Sequence, residues 1–190
     1  GDAMQNSVPK GQGGMVAVLG STVEIIEKIL RDNGQNSNTQ IANDNSESQI
    51  VLSGNLDDLD KLILVLKEND IKNVKLPVSA PFHSSLMCNA TAIMSEKLNN
   101  LNFDQGENKL ISNVTAKEIS NVDELKDLLI TQIEHRVRWR ESVINMINYD
   151  VNHFIEIGPG KVLSGLVKRI NKEVKINTIN NQGDIETLEI

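Results

Sequence analysis

His83 stands in the segment Pro77-Val-Ser-Ala-Pro-Phe-His-Ser-Ser-Leu-Met87, at a strand-to-helix junction whose approach is stiffened by prolines at both ends. A histidine held this way can take a proton from a nucleophile near neutral pH, because its unperturbed pKa lies close to that pH. The alternative is a partly buried or helix-capping histidine. Gln132 falls at i+7 on an apolar stripe of Leu125, Leu128 and Leu129, which puts an amide on a buried face, where it needs partners. It either orients a catalytic group or is satisfied by neighbouring backbone. Gly158-Pro-Gly-Lys161 follows the apolar run Phe154 to Ile157 and opens a helix. Such a turn presents backbone N–H groups to an anion or substrate, or is simply a tight strand-to-helix connection.

Several chemistries are excluded by what is missing. No GxSxG elbow occurs, so His83 has no obvious serine to activate; Ser84 and Ser85 adjoin it in sequence and read as helix-capping residues. The Gly-Pro-Gly-Lys turn lacks Walker spacing, and there is no HExxH, no CxxC and no close histidine pair, so neither a metal nor another cofactor is expected. The 190 residues carry a net charge of −7 and no long basic run, which opposes general nucleic-acid binding. Aromatic residues at 3% leave little for base stacking. The one cysteine, Cys88, cannot form an intrachain disulfide and reads as a small hydrophobe in a reducing, cytoplasmic setting. No apolar run approaches the roughly 20 residues that span a bilayer, and no membrane is expected as partner.

The elements that must position these residues follow from periodicity. Met15 to Leu19 reads as a buried strand; Ser21 with Glu24 is a capping box for a helix with Ile25, Ile26, Ile29 and Leu30 at helical spacing, closed by Gly34. Ile41 to Asn43 and Gln49 to Ser53 read as strands around an Asp44 to Ser48 loop. Leu59, Leu62, Ile63 and Leu66 mark a second helix, and Val74 to Val78 a fourth strand. The order β-α-β-β-α-β over residues 11 to 78 is that of a ferredoxin-like unit, two helices on one face of a four-stranded antiparallel sheet. Beyond Pro81 the spacing predicts a helix over Ser85 to Asn99, a strand over Leu110 to Val114 and a helix opened by Asn121 and Glu124. A helix from Trp139, a strand over His153 to Ile157 and a helix over Lys161 to Ile170 follow. Two or three strands are too few for a covered parallel sheet, so this region reads as part of a larger α/β domain.

Taken in order, several segments resemble the malonyl-CoA:acyl carrier protein transacylases of type II fatty-acid synthesis and the related acyltransferase domains of polyketide synthases. They are Ala3-Met-Gln-Asn-Ser-Val-Pro9, Ile41-Ala-Asn-Asp-Asn45 with Gln49 and Ser53-Gly54, and Pro77 to Met87. Asn113-Val-Thr-Ala116, Gln132 with Trp139, and Glu156-Ile-Gly-Pro-Gly-Lys-Val-Leu163 complete the set. The resemblance implies an α/β fold with an α+β insert: a ferredoxin-like βαββαβ subdomain at 11–78, after a connecting segment at 1–10, and the carboxyl-terminal part of an α/β-hydrolase-like large domain at 79–190. It implies a serine-ester, ping-pong transfer of malonyl from malonyl-CoA to acyl carrier protein in fatty-acid biosynthesis. His83 would be general base and then acid, Gln132 would orient it through its backbone carbonyl, and Asn43 and Val162 would lie near the acyl pocket.

The serine elbow and the malonate-pairing arginine of the family would precede Gly1 in an upstream part of the same enzyme, so the chain alone is expected to be inactive. The polar start without Met fits an unnatural beginning. A non-catalytic module that binds acyl carrier protein or a coenzyme A derivative is the alternative. The chain departs from the family at Glu47-Ser48, Cys88-Asn89 and His135-Arg136. Arg136, Arg138, Arg140, Lys161, Lys168 and Arg169 form either a basic surface for an acidic carrier or an ordinary solvated face.

Overall fold

The computed structural model describes residues 2–9, 11–34, 38–104 and 106–188, and Gly1 lies outside them. A short helix α1 (Asp2–Gln5) leads into β1 (Gly13–Leu19), α2 (Val23–Asp32), β2 (Thr39–Ser46), β3 (Gln49–Asn55), α3 (Leu56–Glu68) and β4 (Lys72–Lys75). The strands form one sheet in the order β2-β3-β1-β4, and every neighbouring pair is antiparallel. The expected element order over 11–78 is the one observed.

Both faces of this sheet are covered, which is why β1 reads as an unbroken apolar run rather than an alternation. Val16, Val18, Ile50 and Leu52 pack beneath Ile26 and Leu30 of α2 and Leu59, Leu62 and Leu66 of α3. Met15, Ala42 and Val51 point the other way and meet Leu76 and Phe82. The register Val16↔Leu52 and Ile41↔Leu52 puts β2, β3 and β1 in line. Bulges between Ile41 and Asn43 and between Asp44 and Ser46 bend the outer strand β2, which is longer than its apolar core suggested.

β2 is also the seam to the second region. Val137 N–H donates to Ala42 O at 2.7 Å and Asp44 N–H to Val137 O at 2.9 Å. Asp44, almost wholly buried, accepts a forked pair of bonds at 3.0–3.1 Å from Arg140. Two charges brought together in this geometry lock the two regions in one register.

The second region comprises a 3-10 turn (Ser85–Met87), α4 (Cys88–Asn99), α5 (Val122–Thr131), α6 (Trp139–Asn148), β5 (His153–Ile157), α7 (Val162–Ile170), β6 (Lys175–Ile179) and α8 (Gln182–Glu186). β5 and β6 run parallel, and α6 and α7 bury Val143, Val167 and Val174 with Trp139 and Phe154 beside them. The chain is a mixed α/β fold. Among the described residues no helix is long and apolar enough to cross a membrane.

Three local expectations are corrected. The capping box expected at Ser21 does not form: Thr22 is the N-cap of α2 without a side-chain cap bond, its hydroxyl instead hydrogen-bonds the Glu24 carboxyl and holds it below the usual carboxylate range, and the buried Ser21 hydroxyl has no partner. The expected strand over Leu110 to Val114 does not form. Ile111 makes one isolated bridge to Glu118, because the Ser112 hydroxyl accepts from the N–H of Val114 and Thr115 and folds the chain into a tight turn. The strand placed at Val74 to Val78 ends at Lys75, before Pro77.

Candidate functional site

His83 sits on the turn between Pro81 and the 3-10 turn, with φ of 56°, a left-handed conformation that costs a side-chain-bearing residue on the order of 1–3 kcal/mol unless its surroundings impose it. The surroundings do. The buried Ser84 hydroxyl donates to Pro81 O at 2.7 Å, Met87 N–H donates to Ser84 O, and Ser85 N–H donates to the Gln40 amide oxygen of β2 at 2.6 Å. Gly13 approaches the same turn so closely that a Cβ there would lie 2.3 Å from Pro81 Cδ. Neither serine caps through its side chain: the Ser84 hydroxyl is committed to Pro81 and Ser85 contributes its backbone.

The imidazole is oriented from across the fold. His83 Nδ1 lies 2.8 Å from the backbone carbonyl oxygen of Gln132, the residue that closes α5. A carbonyl can only accept, so Nδ1 carries the proton and the neutral ring keeps its lone pair on Nε2. That tautomer is the one a general base needs. The Gln132 side chain does something else: its Oε1 accepts from Asn113 Nδ2 at 3.0 Å and its Nε2 donates to Leu129 O at 3.4 Å, so the half-buried amide is satisfied at both ends.

Two cavities share His83 as a wall. One, of about 500 Å³, is mixed in character, lined by Arg31, Gln40, Ile41, Ser85, His135 and Arg136 among others. The other, of about 230 Å³, is apolar, lined by Met4, Met94, Leu98, Leu129 and Ile133 beside Gln132. Asn43 is half-buried on β2 opposite Val137, and Val162 is 73% exposed at the start of α7. Neither lines a cavity with His83. The structure therefore brings His83 and Gln132 together and leaves Asn43 and Val162 apart from them.

The Gly-Pro-Gly-Lys turn is not poised for an external anion. Gly160 N–H donates to Asn180 Oδ1 at 2.6 Å, Gly158 N–H to Ile179 O, and the Glu156 carboxylate already accepts from Leu163 and Ser164 N–H at the start of α7. Burial pushes the Glu156 carboxyl up, but hydrogen bonds from Ser164 and Leu163 outweigh it and hold it below its usual range. The arginines do not form a free basic surface either. Arg136 pairs with Glu27, Arg138 with Glu141 and Arg140 with Asp44, while Arg169 donates to Gln49. Hydrogen bonding to Asp44 raises the Arg140 pKa further. Cys88 is exposed rather than packed as a small hydrophobe. Among the described residues no cluster of three or more histidine, cysteine or carboxylate side chains could hold a metal.

Sequence reasoning did not single out Gln40 or the Asn113 side chain. Their partners lie 45 and 19 residues away along the chain, and no local pattern signals such contacts.

No family model matches the chain. Individual relatives do. The malonyl CoA-acyl carrier protein transacylase of Bacillus subtilis (strain 168) is 38% identical over all of this chain and 60% of its own length, and that of Staphylococcus aureus (strain MRSA252) 35% identical over 98% and 61%. The crystal structure of the Clostridium perfringens malonyl CoA-acyl carrier protein transacylase superposes with a TM-score of 0.93 at 38% identity, covering 98% of this chain and 59% of that one. A malonyl-transacylase in complex with its type II polyketide synthase acyl-carrier protein superposes with a TM-score of 0.91 at 29% identity, over 98% and 60%. The chain thus spans about three-fifths of the relatives it matches, and it is similar from end to end to the carboxyl-terminal portion of malonyl CoA-acyl carrier protein transacylases.

Proposed function

We propose that this chain is the histidine-bearing portion of an acyltransferase that moves a malonyl group from malonyl-CoA to the phosphopantetheine thiol of acyl carrier protein in fatty-acid biosynthesis, in the cytoplasm. The observation that carries the reading is the 2.8 Å bond from His83 Nδ1–H to the Gln132 carbonyl, which leaves Nε2 as a base on the wall of two cavities. The nucleophile is a serine outside this chain. His83 Nε2 takes its proton as the serine attacks the malonyl thioester and returns one to the coenzyme A thiolate. It then repeats the cycle with the carrier thiol, giving a ping-pong exchange through a serine ester. The Gln132 carbonyl does the work of a triad carboxylate: it fixes the tautomer and draws the positive imidazolium formed in each proton transfer.

Residues 11–78, with their β2-β3-β1-β4 antiparallel sheet, are a ferredoxin-like subdomain. Residues 1–10 are the connecting segment, and 79–190 are the returning part of an α/β-hydrolase-like large domain. A partner polypeptide that is the upstream part of the enzyme completes it. Support for this comes from the two-stranded parallel sheet, since such sheets are normally wider and covered on both faces, whereas here Ile155, Ile157 and Leu163 are exposed. Asn43 and Val162 reach the acyl site only in that completed enzyme.

The test is intact-mass analysis after malonyl-CoA is added to this chain alone and to this chain with a serine-bearing upstream polypeptide. A malonyl adduct on the upstream polypeptide, with none on this chain, supports the proposal; an adduct on this chain overturns it.

A further inference from the structure

We propose that Asn113 is a positioning residue for His83, acting through the side chain of Gln132. The inference rests on the reading of His83 as a base and adds a residue to it. The carbonyl that receives the His83 Nδ1 proton belongs to the residue closing α5, where carbonyls have lost their intrahelical partners and helix ends fray. A carbonyl there keeps a fixed direction only if its residue is anchored. Asn113 supplies the anchor: its Nδ2 donates to Gln132 Oε1 at 3.0 Å, while Gln132 Nε2 donates back to Leu129 O at 3.4 Å. The Gln132 side chain is held at both ends.

Asn113 is itself rigidly placed. Its carbonyl accepts from Arg138 N–H at 2.8 Å, tying it to the start of α6. The turn that carries it is closed by the Ser112 hydroxyl, by Ser112 N–H to Lys117 O at 2.9 Å, and by Asn145 Nδ2 to Ala116 O at 2.8 Å. Buried Ala116 takes φ of 57° within it. A segment whose apolar residues predicted a strand is thus folded into a strained clasp, and one product of that fold is an amide aimed at Gln132. The bonded sequence Asn113–Gln132–His83 keeps the proton on Nδ1 and the lone pair on Nε2.

The test is made on this chain without substrate, by reading the ¹⁵N chemical shifts of the His83 ring with the imidazole neutral. Wild type is expected to show a single Nδ1–H tautomer. Asn113→Ala is expected to lose that signature and give a mixture of tautomers. Gln132→Leu, which keeps the backbone carbonyl but removes the side chain, is expected to give the same mixture, and the double variant no more than Gln132→Leu alone, because all three lose the Asn113–Gln132 hydrogen bond. If Asn113→Ala does not fold, Gln132→Leu carries the test alone. A single Nδ1–H tautomer retained in the folded variants, or effects of the two substitutions that add, would overturn the proposal. Failure of malonyl transfer sinks the proposed activity and leaves this measurement untouched.

Discussion

The two halves of the molecule solve the problem of a stable interior differently. Residues 13–75 form a sheet covered on both faces, with Val18, Ile26, Leu52, Leu59, Leu62 and Leu66 all at 1% exposure or less. In the second half the apolar residues fall into smaller clusters, and Ile157 at 79% and Val162 at 73% stand in solvent around a two-stranded sheet. In the first half α2 and α3 bury one face of the sheet, while the other face meets Leu76 and Phe82 from beyond it. The second orders its polar groups at His83, Gln132, Asn113 and Glu156 while leaving apolar surface open, and this is the surface that the proposed upstream polypeptide would cover.

That contrast can be broken experimentally. The largest effect is expected in the sheet core: Leu62→Ala should destabilise the chain by about 2–5 kcal/mol in urea unfolding, whereas Ile157→Ala should stay within roughly 0.5 kcal/mol. Equal losses at the two positions would contradict the division. Next comes the seam. Asp44→Asn removes the charge that Arg140 clasps from α6 and should cost about 1.5–3 kcal/mol, read as a lower denaturation midpoint.

Gly13→Ala drives a methyl into Pro81 and should cost about 1–3 kcal/mol, with the chemical shifts of His83 moving more than those of His153. The smallest effect concerns pH. Glu24 and Glu156 are held below their usual range when folded, so the stability they contribute is present above the ordinary carboxylate value and is lost as pH falls through the lowered folded value. Glu156→Gln should flatten that acid-side decline, and an unchanged pH profile would show that the Ser164 and Leu163 bonds add nothing.

The same contrast explains what was legible in the sequence. Elements that bury an apolar face announce themselves, so periodicity alone places α3 and β3. Elements built from polar bonds did not. The segment Leu110 to Val114, with Ile111 and Val114, reads as a strand until the Ser112 hydroxyl is seen to close a turn at 112–117. β6, the sequence Lys-Ile-Asn-Thr-Ile, is too polar to stand out. At the site, His83 and Gln132 were nameable because their residue types suggest chemistry. Gln40 and Asn113 were not, since an amide's value lies in a partner that only the fold supplies.

His83, oriented by Gln132, is proposed as the base of an acyl transfer completed by a serine from outside this chain. The direct measurement is the rate of malonyl transfer to acyl carrier protein by this chain together with a serine-bearing upstream polypeptide, for wild type and His83→Ala. Wild type is expected to transfer malonyl, and the variant to lose about 10²–10⁴-fold in rate with binding of malonyl-CoA retained. Transfer at an undiminished rate without His83 would contradict it.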